Sequence, residues 1–298
     1  MGGSKSKSVP VPVPSPFLPD HWRKIDFSTS NKTRLLEEIR NFDIVHPEVK
    51  QLRILVHGPV GAGKSSFISS IASIFKGRMV QAALVDTGSY NVGSFTKKFE
   101  SIKLRDKGGK VLPFLICDIM GLEDDVSGAR TEDLVIALEG HLKDGYMFNP
   151  VGSMAKNDPH YNRYPTLNDK IHCLVSILPG DGINMMDSAD ARTVIQKLRE
   201  IREKASELKI PQVIIMTKAD LACAEVYKDP KKIYKSKEIK KMMEVCTDKL
   251  GIPLNFVLPV KNYHEENALD DGMDILLLSA LKSILNFAND HVESQLDD

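Results

Sequence analysis

Residues 52–67 read LRILVHGPVGAGKSSF, and this stretch limits what the chain can fold into more than any other. Residues 53–57 are a short apolar, β-branched run with the composition of a buried strand. Gly58, Gly61 and Gly63 follow, then Lys64-Ser65-Ser66, then Phe67, Ile68, Ile71 and Ala72 at helical spacing. Gly58-x-x-x-x-Gly63-Lys64-Ser65 matches the phosphate-loop (Walker A) pattern, with a strand before it and a helix after. Glycines let backbone N–H groups close around an anion, and the helix N-terminus adds partial positive charge. Gly58, Val60, Gly61, Ala62, Gly63, Lys64, Ser65 and Ser66 are therefore the candidate phosphate-binding residues. Lys64 is expected to reach the β- and γ-phosphates, and the Ser65 hydroxyl to ligate Mg²⁺.

Beyond this unit the pattern keeps alternating. Candidate strands are 53–57, 99–104, 111–117, 171–177, 212–216 and 254–260, with helical patterns over 189–208, 236–250 and 269–287. The second and third strands are joined by Arg105-Asp106-Lys107-Gly108-Gly109, a hairpin signal. This order predicts an α/β fold: a three-layer P-loop NTPase of G-domain type, with a mostly parallel sheet, helices on both faces and one antiparallel edge pair. Residues 48–292 are read as that domain. Ser28, Thr29 and Ser30 offer N-caps to a leading helix whose apolar face is Leu35, Leu36, Ile39 and Phe42, placing a packed helix within 21–47. Residues 141–169 are rich in Pro, Asn, Gly and Tyr and have no period, which marks an insert. Its aromatics (Tyr146, Phe148, Tyr161 and Tyr164) suggest that it packs on something.

Composition excludes several classes. The 298 residues carry 40 basic and 40 acidic side chains, so global charge gives no footing for nucleic acid or an acidic partner. The cysteines (Cys117, Cys173, Cys223 and Cys246) lack CxxC spacing, which fits buried thiols in a reducing compartment. No apolar run is long enough to span a membrane, and an intracellular, cytoplasmic protein is expected. Residues 1–20, with repeated Val-Pro steps, read as a flexible arm of extended polyproline character. Its start, Met1-Gly2-Gly3-Ser4-Lys5-Ser6, fits the N-myristoylation pattern with Gly2 as the acylated residue. A single acyl chain with Lys5 and Lys7 beside it predicts weak, reversible membrane association.

Two later motifs narrow the ligand. The apolar strand ending in Asp118-Ile119-Met120-Gly121 places a carboxylate that can hold Mg²⁺ through water. It also places a glycine whose N–H can approach a γ-phosphate. The strand QVIIMT leads into Thr217-Lys218-Ala219-Asp220, which resembles the (N/T)KxD motif of GTPases. There the Asp accepts hydrogen bonds from the N1 and N2 positions of guanine and the Lys stem packs along the base. The last strand ends in Val260-Lys261-Asn262, where such proteins close a loop over the base, with Lys261 as the candidate base contact. Thr87 and Thr96 are candidates to complete the Mg²⁺ shell; Thr96, lying 22 residues before Asp118, is preferred on spacing.

HGPVGAGKSSF, CDIMGLED, KIHCLVSIL, MTKAD and PVKNY, in this order, resemble a P-loop GTPase and, more narrowly, the interferon-induced protein 44 and 44-like family. The resemblance runs from about Trp22 to the C-terminus. It implies GTP or GDP with Mg²⁺ as ligands and a mainly cytoplasmic, interferon-responsive protein with a proposed antiviral role. Larger members of that group carry an additional N-terminal domain where this sequence has its arm.

Turnover is expected to be slow. The residue after the DxxG motif, often a water-orienting Gln, is Leu122, and Val60 crowds the place of a more usual Gly. Glu123 or Glu132 are the candidates to substitute, and Arg130 is a candidate internal arginine. Two readings stay open: a slow GTPase switch, and a scaffold of the same fold without significant hydrolysis. The sequence names no protein partner and leaves a homo-oligomer open.

Overall fold

The computed structural model describes residues 15–82, 98–119, 121–122, 129–149, 152–185 and 189–296. Helix α1 (Thr29–Arg40) precedes strand β1 (Leu52–His57), helix α2 (Lys64–Lys76) and the hairpin β2 (Glu100–Arg105)–β3 (Val111–Asp118). Next come α3 (Thr131–Leu138), β4 (Cys173–Pro179), α4 (Ala189–Glu207) and β5 (Gln212–Thr217). The short helices α5 (Ala219–Ala222) and α6 (Ala224–Lys228) lead to α7 (Lys237–Leu250), β6 (Val257–Pro259) and α8 (Asp271–Glu293).

The strands form one sheet in the order β2-β3-β1-β4-β5-β6, with only β2 antiparallel to its neighbour. Strand period two divides the central strands between two cores. Ile54, Val56, Val175, Ile177, Val213 and Ile215 face α1, α2 and α8. Leu55, Leu174, Leu178, Ile214 and Met216 face α3, α4 and α7. Burial on both faces is why these strands read as continuous apolar runs. The result is the expected three-layer α/β fold.

The elements differ from the sequence reading at their edges. Strand β6 keeps only three residues of 254–260, because 254–256 coil into a 3₁₀ turn. Helix α3 was not anticipated; its eight residues are too few for a clear period. Ser28 caps α1 as expected, and α1 lies on α8 through Leu35 and Ile39. Residues 15–20 do not belong to a free arm. Leu18 N–H donates to Lys235 O (2.8 Å), Lys237 N–H donates to Pro16 O (3.0 Å), and the Phe17 ring lies under the Lys232 ammonium. Residues 1–14, with Gly2, lie outside the described residues.

The insert has neither helix nor strand among its described residues, yet it is anchored. Tyr146, Phe148 and Met154 are buried in the α3/α4 core. Asp133, on α3, is fully buried; it accepts from Met154 N–H (2.8 Å) and Tyr146 O–H (3.3 Å), and burial raises its pKa. Tyr146 also pairs through its backbone with Phe99, just before β2. Tyr164 departs from the expectation of packing, being 88% exposed.

His172 supplies a pH prediction. Its buried ring accepts from Arg53 N–H at Nδ1 (3.0 Å), so Nε2 carries the proton toward Leu167 O (2.8 Å). Burial pushes its pKa down to about 4, well below an unfolded histidine near 6.5. As pH falls below that unfolded value the unfolded chain takes up the proton first. Stability is therefore flat above about pH 7 and declines between about 6.5 and 4, by roughly 1.4 kcal/mol per pH unit for this group. Urea midpoints at pH 7 and 5 should show the loss, and His172→Gln should reduce the pH difference.

Candidate functional site

The carboxyl ends of β1, β3, β4, β5 and β6 meet around the loop that joins β1 to α2, the usual ligand edge of an open parallel sheet. Gly58 enters that loop at φ +143, where a Cβ would stand 2.2 Å from Ile177 O. No residue with a side chain fits. Gly63 caps α2 at φ +89 and, having no side chain, makes no side-chain bond to the first turn of the helix. A cleft of about 940 Å³ opens over this turn, with Val60, Gly61, Gly63, Lys64, Ser65 and Ser66 on its floor and Tyr263, His264 and Glu266 on one wall.

The backbone divides the loop's donors. Val60 N–H donates to Leu122 O (3.2 Å) and Ala62 N–H to Pro59 O (3.2 Å), while Leu122 N–H donates to Gly58 O (3.0 Å). These bonds lay the DxxG segment along the loop, bringing Gly121 against Val60 and Lys64; a Cβ there would stand 2.6 Å from Val60 Cγ2 and 3.1 Å from Lys64 Nζ. Lys64 is nearly buried, with Nζ donating to Gly58 O (3.0 Å) and Pro59 O (2.9 Å). Asp118 is buried at the end of β3, level with Val56 of β1. Leu122 is buried in the core, so its side chain is absent from the cleft. Arg130 and Glu132 pair with each other (3.4 Å), and Arg130 Nε also donates to Ser153 Oγ of the insert (3.2 Å). Thr87, Thr96 and Glu123 lie outside the described residues.

Behind the loop, the buried His57 bonds through Nε2 to Ser176 Oγ (2.7 Å). Its pKa is pushed down to about 3 by burial and then by the Lys64 charge. A neutral ring next to Lys64 adds no second cation to the loop.

On the far side, the Thr217 hydroxyl is buried and donates to Ala62 O at 2.6 Å, tying β5 to the phosphate loop. Lys218 adopts the left-handed conformation (φ +53), which turns the chain sharply into α5, and its Nζ lies 3.7 Å from Asp181. Asp220 is partly buried, and burial raises its pKa against the nearby Lys261 charge. Lys261 Nζ pairs with Glu266 (2.6 Å) and sits over the Tyr227 ring at 5.4 Å. Lys218 and Asp220 stand beyond the lining of the main cleft, which reaches this side through Glu266.

Asn262, which the sequence groups with Lys261 in a loop over the base, has a tether to the phosphate loop that sequence reasoning missed. Its Nδ2 donates to Gly63 O (3.1 Å), and its Oδ1 is buried and accepts no hydrogen bond among the described residues. Two consecutive loop carbonyls, Ala62 and Gly63, are thus held by side chains from two different strand ends. The only signal in the sequence was the position of Asn262 beside Lys261.

The oxygen donors Ser65 and Asp118 suit a hard cation such as Mg²⁺. No cluster of three or more His, Cys, Asp or Glu occurs among the described residues.

Strand order, glycine-built loop and DxxG pairing together define an α/β P-loop NTPase of G-domain type. The chain is related to interferon-induced protein 44 of Homo sapiens, with 34% identity over 272 residues, 91% of this chain and 60% of that protein. It is also related to interferon-induced protein 44-like of Homo sapiens, with 33% identity over 278 residues, 92% of this chain and 60% of that protein. The chain therefore spans about 60% of the length of these curated relatives. No family model matches it. Among solved structures, Toc33 from Arabidopsis thaliana in complex with GDP and Mg²⁺ covers 87% of this chain and 90% of its own at 14% identity and a TM-score of 0.43.

Replacing Thr217 by Val keeps its shape and removes the donor to Ala62 O. Leaving that buried carbonyl unsatisfied should cost about 1–3 kcal/mol, measurable as a lower urea midpoint with an unchanged slope.

Proposed function

We propose that this chain binds a guanine nucleotide with Mg²⁺ and turns it over slowly, as a switch in an interferon-linked response. The observation that carries the reading is Asp220, a partly buried carboxylate raised by burial, just past a threonine bonded to the phosphate loop. A carboxylate accepts only, and it has room for donors beyond the backbone bonds it takes from its own and the Leu221 N–H; the two N–H groups on guanine's N1/N2 edge, which adenine does not present, match it. Phosphate recognition falls to Gly61, Gly63, Lys64 and the first turn of α2, since the Val60 and Ala62 amides are engaged within the protein. Mg²⁺ held by Ser65 and Asp118 would neutralise phosphate charge. The interferon link comes from the names of the relatives. An acylated Gly2 would add weak, reversible membrane attachment.

Slow turnover follows from Leu122. Its side chain is packed into the core and its backbone is tied to Gly58 and Val60, so no polar group at this position orients water. The same observation favours the second reading, a binding scaffold without significant hydrolysis.

Titration of the purified chain with GTP, GDP and ATP in Mg²⁺ should give guanine-selective binding that Lys64→Ala abolishes. Asp220→Asn presents an N–H where guanine also presents one. It should lower GTP affinity by roughly 100-fold or more while gaining xanthosine triphosphate, whose ring carries a carbonyl there. Equal affinity for GTP and ATP in the wild type would sink the guanine reading. Single-turnover hydrolysis is expected at or below roughly 10⁻² s⁻¹.

A further inference from the structure

Tyr263, next to Asn262, lines the nucleotide cleft, but it also reaches away from it. Its N–H donates to Ser70 Oγ (2.9 Å), and Ser70 Oγ donates in turn to Ser66 O (2.6 Å), in the first turn of α2. At its other end the Tyr263 hydroxyl donates to Asp274 Oδ1 (2.6 Å) and accepts from Asp270 N–H (2.7 Å). Asp274 is fully buried on α8, and its Oδ2 lies 2.6 Å from Lys32 Nζ of α1. Lys32 also meets Asp271 at 2.8 Å, while Thr29 Oγ1 donates to the other oxygen of Asp271. A continuous polar chain, dry through Asp274 and Ser70 and nearly so at Tyr263, runs from α1 to the helix that starts at the phosphate loop.

We infer that α1 sets how tightly the phosphate loop holds its nucleotide, with Lys32, Asp274 and Tyr263 as positioning residues acting on Ser70; the inference rests on the nucleotide reading above. The physical reason is burial. When Lys32 is withdrawn, Asp274 is left in a dry interior with no water to replace the cation. The Tyr263 hydroxyl is the remaining side-chain donor to it, and any adjustment there is transmitted through a tightly packed residue to Ser70. The Lys32–Asp274 contact, made or broken, thus gives two states of loop support, independent of the other contacts that hold α1 on α8. Linkage requires the reverse effect as well: nucleotide in the cleft tightens α1 on α8.

The test uses the full chain and release of a fluorescent GDP analogue chased with unlabelled GDP. Lys32→Met and Tyr263→Phe should each accelerate release by roughly five- to tenfold, and the double variant should be no faster than the faster single. Lys32→Arg keeps the cation and should restore the wild-type rate. Lys282→Met removes a different α1–α8 ion pair, with Glu38, remote from Tyr263. It should lower the thermal midpoint without changing release. In the wild type, GDP should slow hydrogen exchange of the α1 amides, a measurement that needs no variant to fold. Variants that lower the midpoint but release GDP at the wild-type rate, effects that multiply in the double variant, or equal acceleration by Lys282→Met would each overturn the inference. Wild-type chain that binds no guanine nucleotide would instead remove the reading beneath it, an outcome visible before any variant is made.

Discussion

The turn from β1 into α2 is the constraint on which the rest of the structure depends. Gly58 passes so close to Ile177 that a single methyl group would collide with the carbonyl of a neighbouring strand. This approach fixes β4 beside β1, and with it the side of the sheet on which β5 and β6 lie. Two outside side chains add to the bonds within the loop: Thr217 takes Ala62 O and Asn262 takes Gly63 O. Thr217 is the last residue of β5 and Asn262 follows β6 by three residues, so both are held close to the sheet. A loop braced in this way meets an anion with its amides already placed, and little ordering cost remains to be met on binding.

A second consequence concerns charge. The interior carries several ionisable groups, each kept in a defined state by its neighbours. His57 and His172 are held neutral, one behind the loop and the other at the opposite end of β1. Asp133 gathers the insert onto α3, and Asp274 gathers α1 onto α8. Buried carboxylates are costly unless they are fully bonded, so each specifies its partners sharply. In this chain the partners are segments lying outside the core sheet. The insert and the leading helix are thereby made part of the domain, though neither contributes a strand to the sheet.

Much of the fold was legible because its signals are local. Alternating apolar runs, the glycine spacing and the hairpin turn at Asp106 each act over a few residues, and the strands they predict appear within a few positions. The phosphate loop and the strand-end motifs were readable for the same reason. Less legible were features made by contacts distant in sequence. Asn262 looks like an ordinary loop residue until Gly63 is found beside it. Leu122 reads as a missing glutamine, and only the core shows that the position is occupied by packing. Residues 15–20 have the composition of a tail, yet backbone bonds to residues 235–237 hold them, and backbone groups leave no trace in side-chain pattern.

The sequence by itself determined the α/β alternation, the phosphate loop and the residue types around it, because backbone conformation and periodicity are local properties of the chain. Tertiary structure alone decided which loop carbonyls are tethered, which amides are spent within the protein, and how α1 reaches the cleft. Those outcomes turn on distances of about 3 Å between residues as much as 242 positions apart. Only the packed sheet brings such residues together.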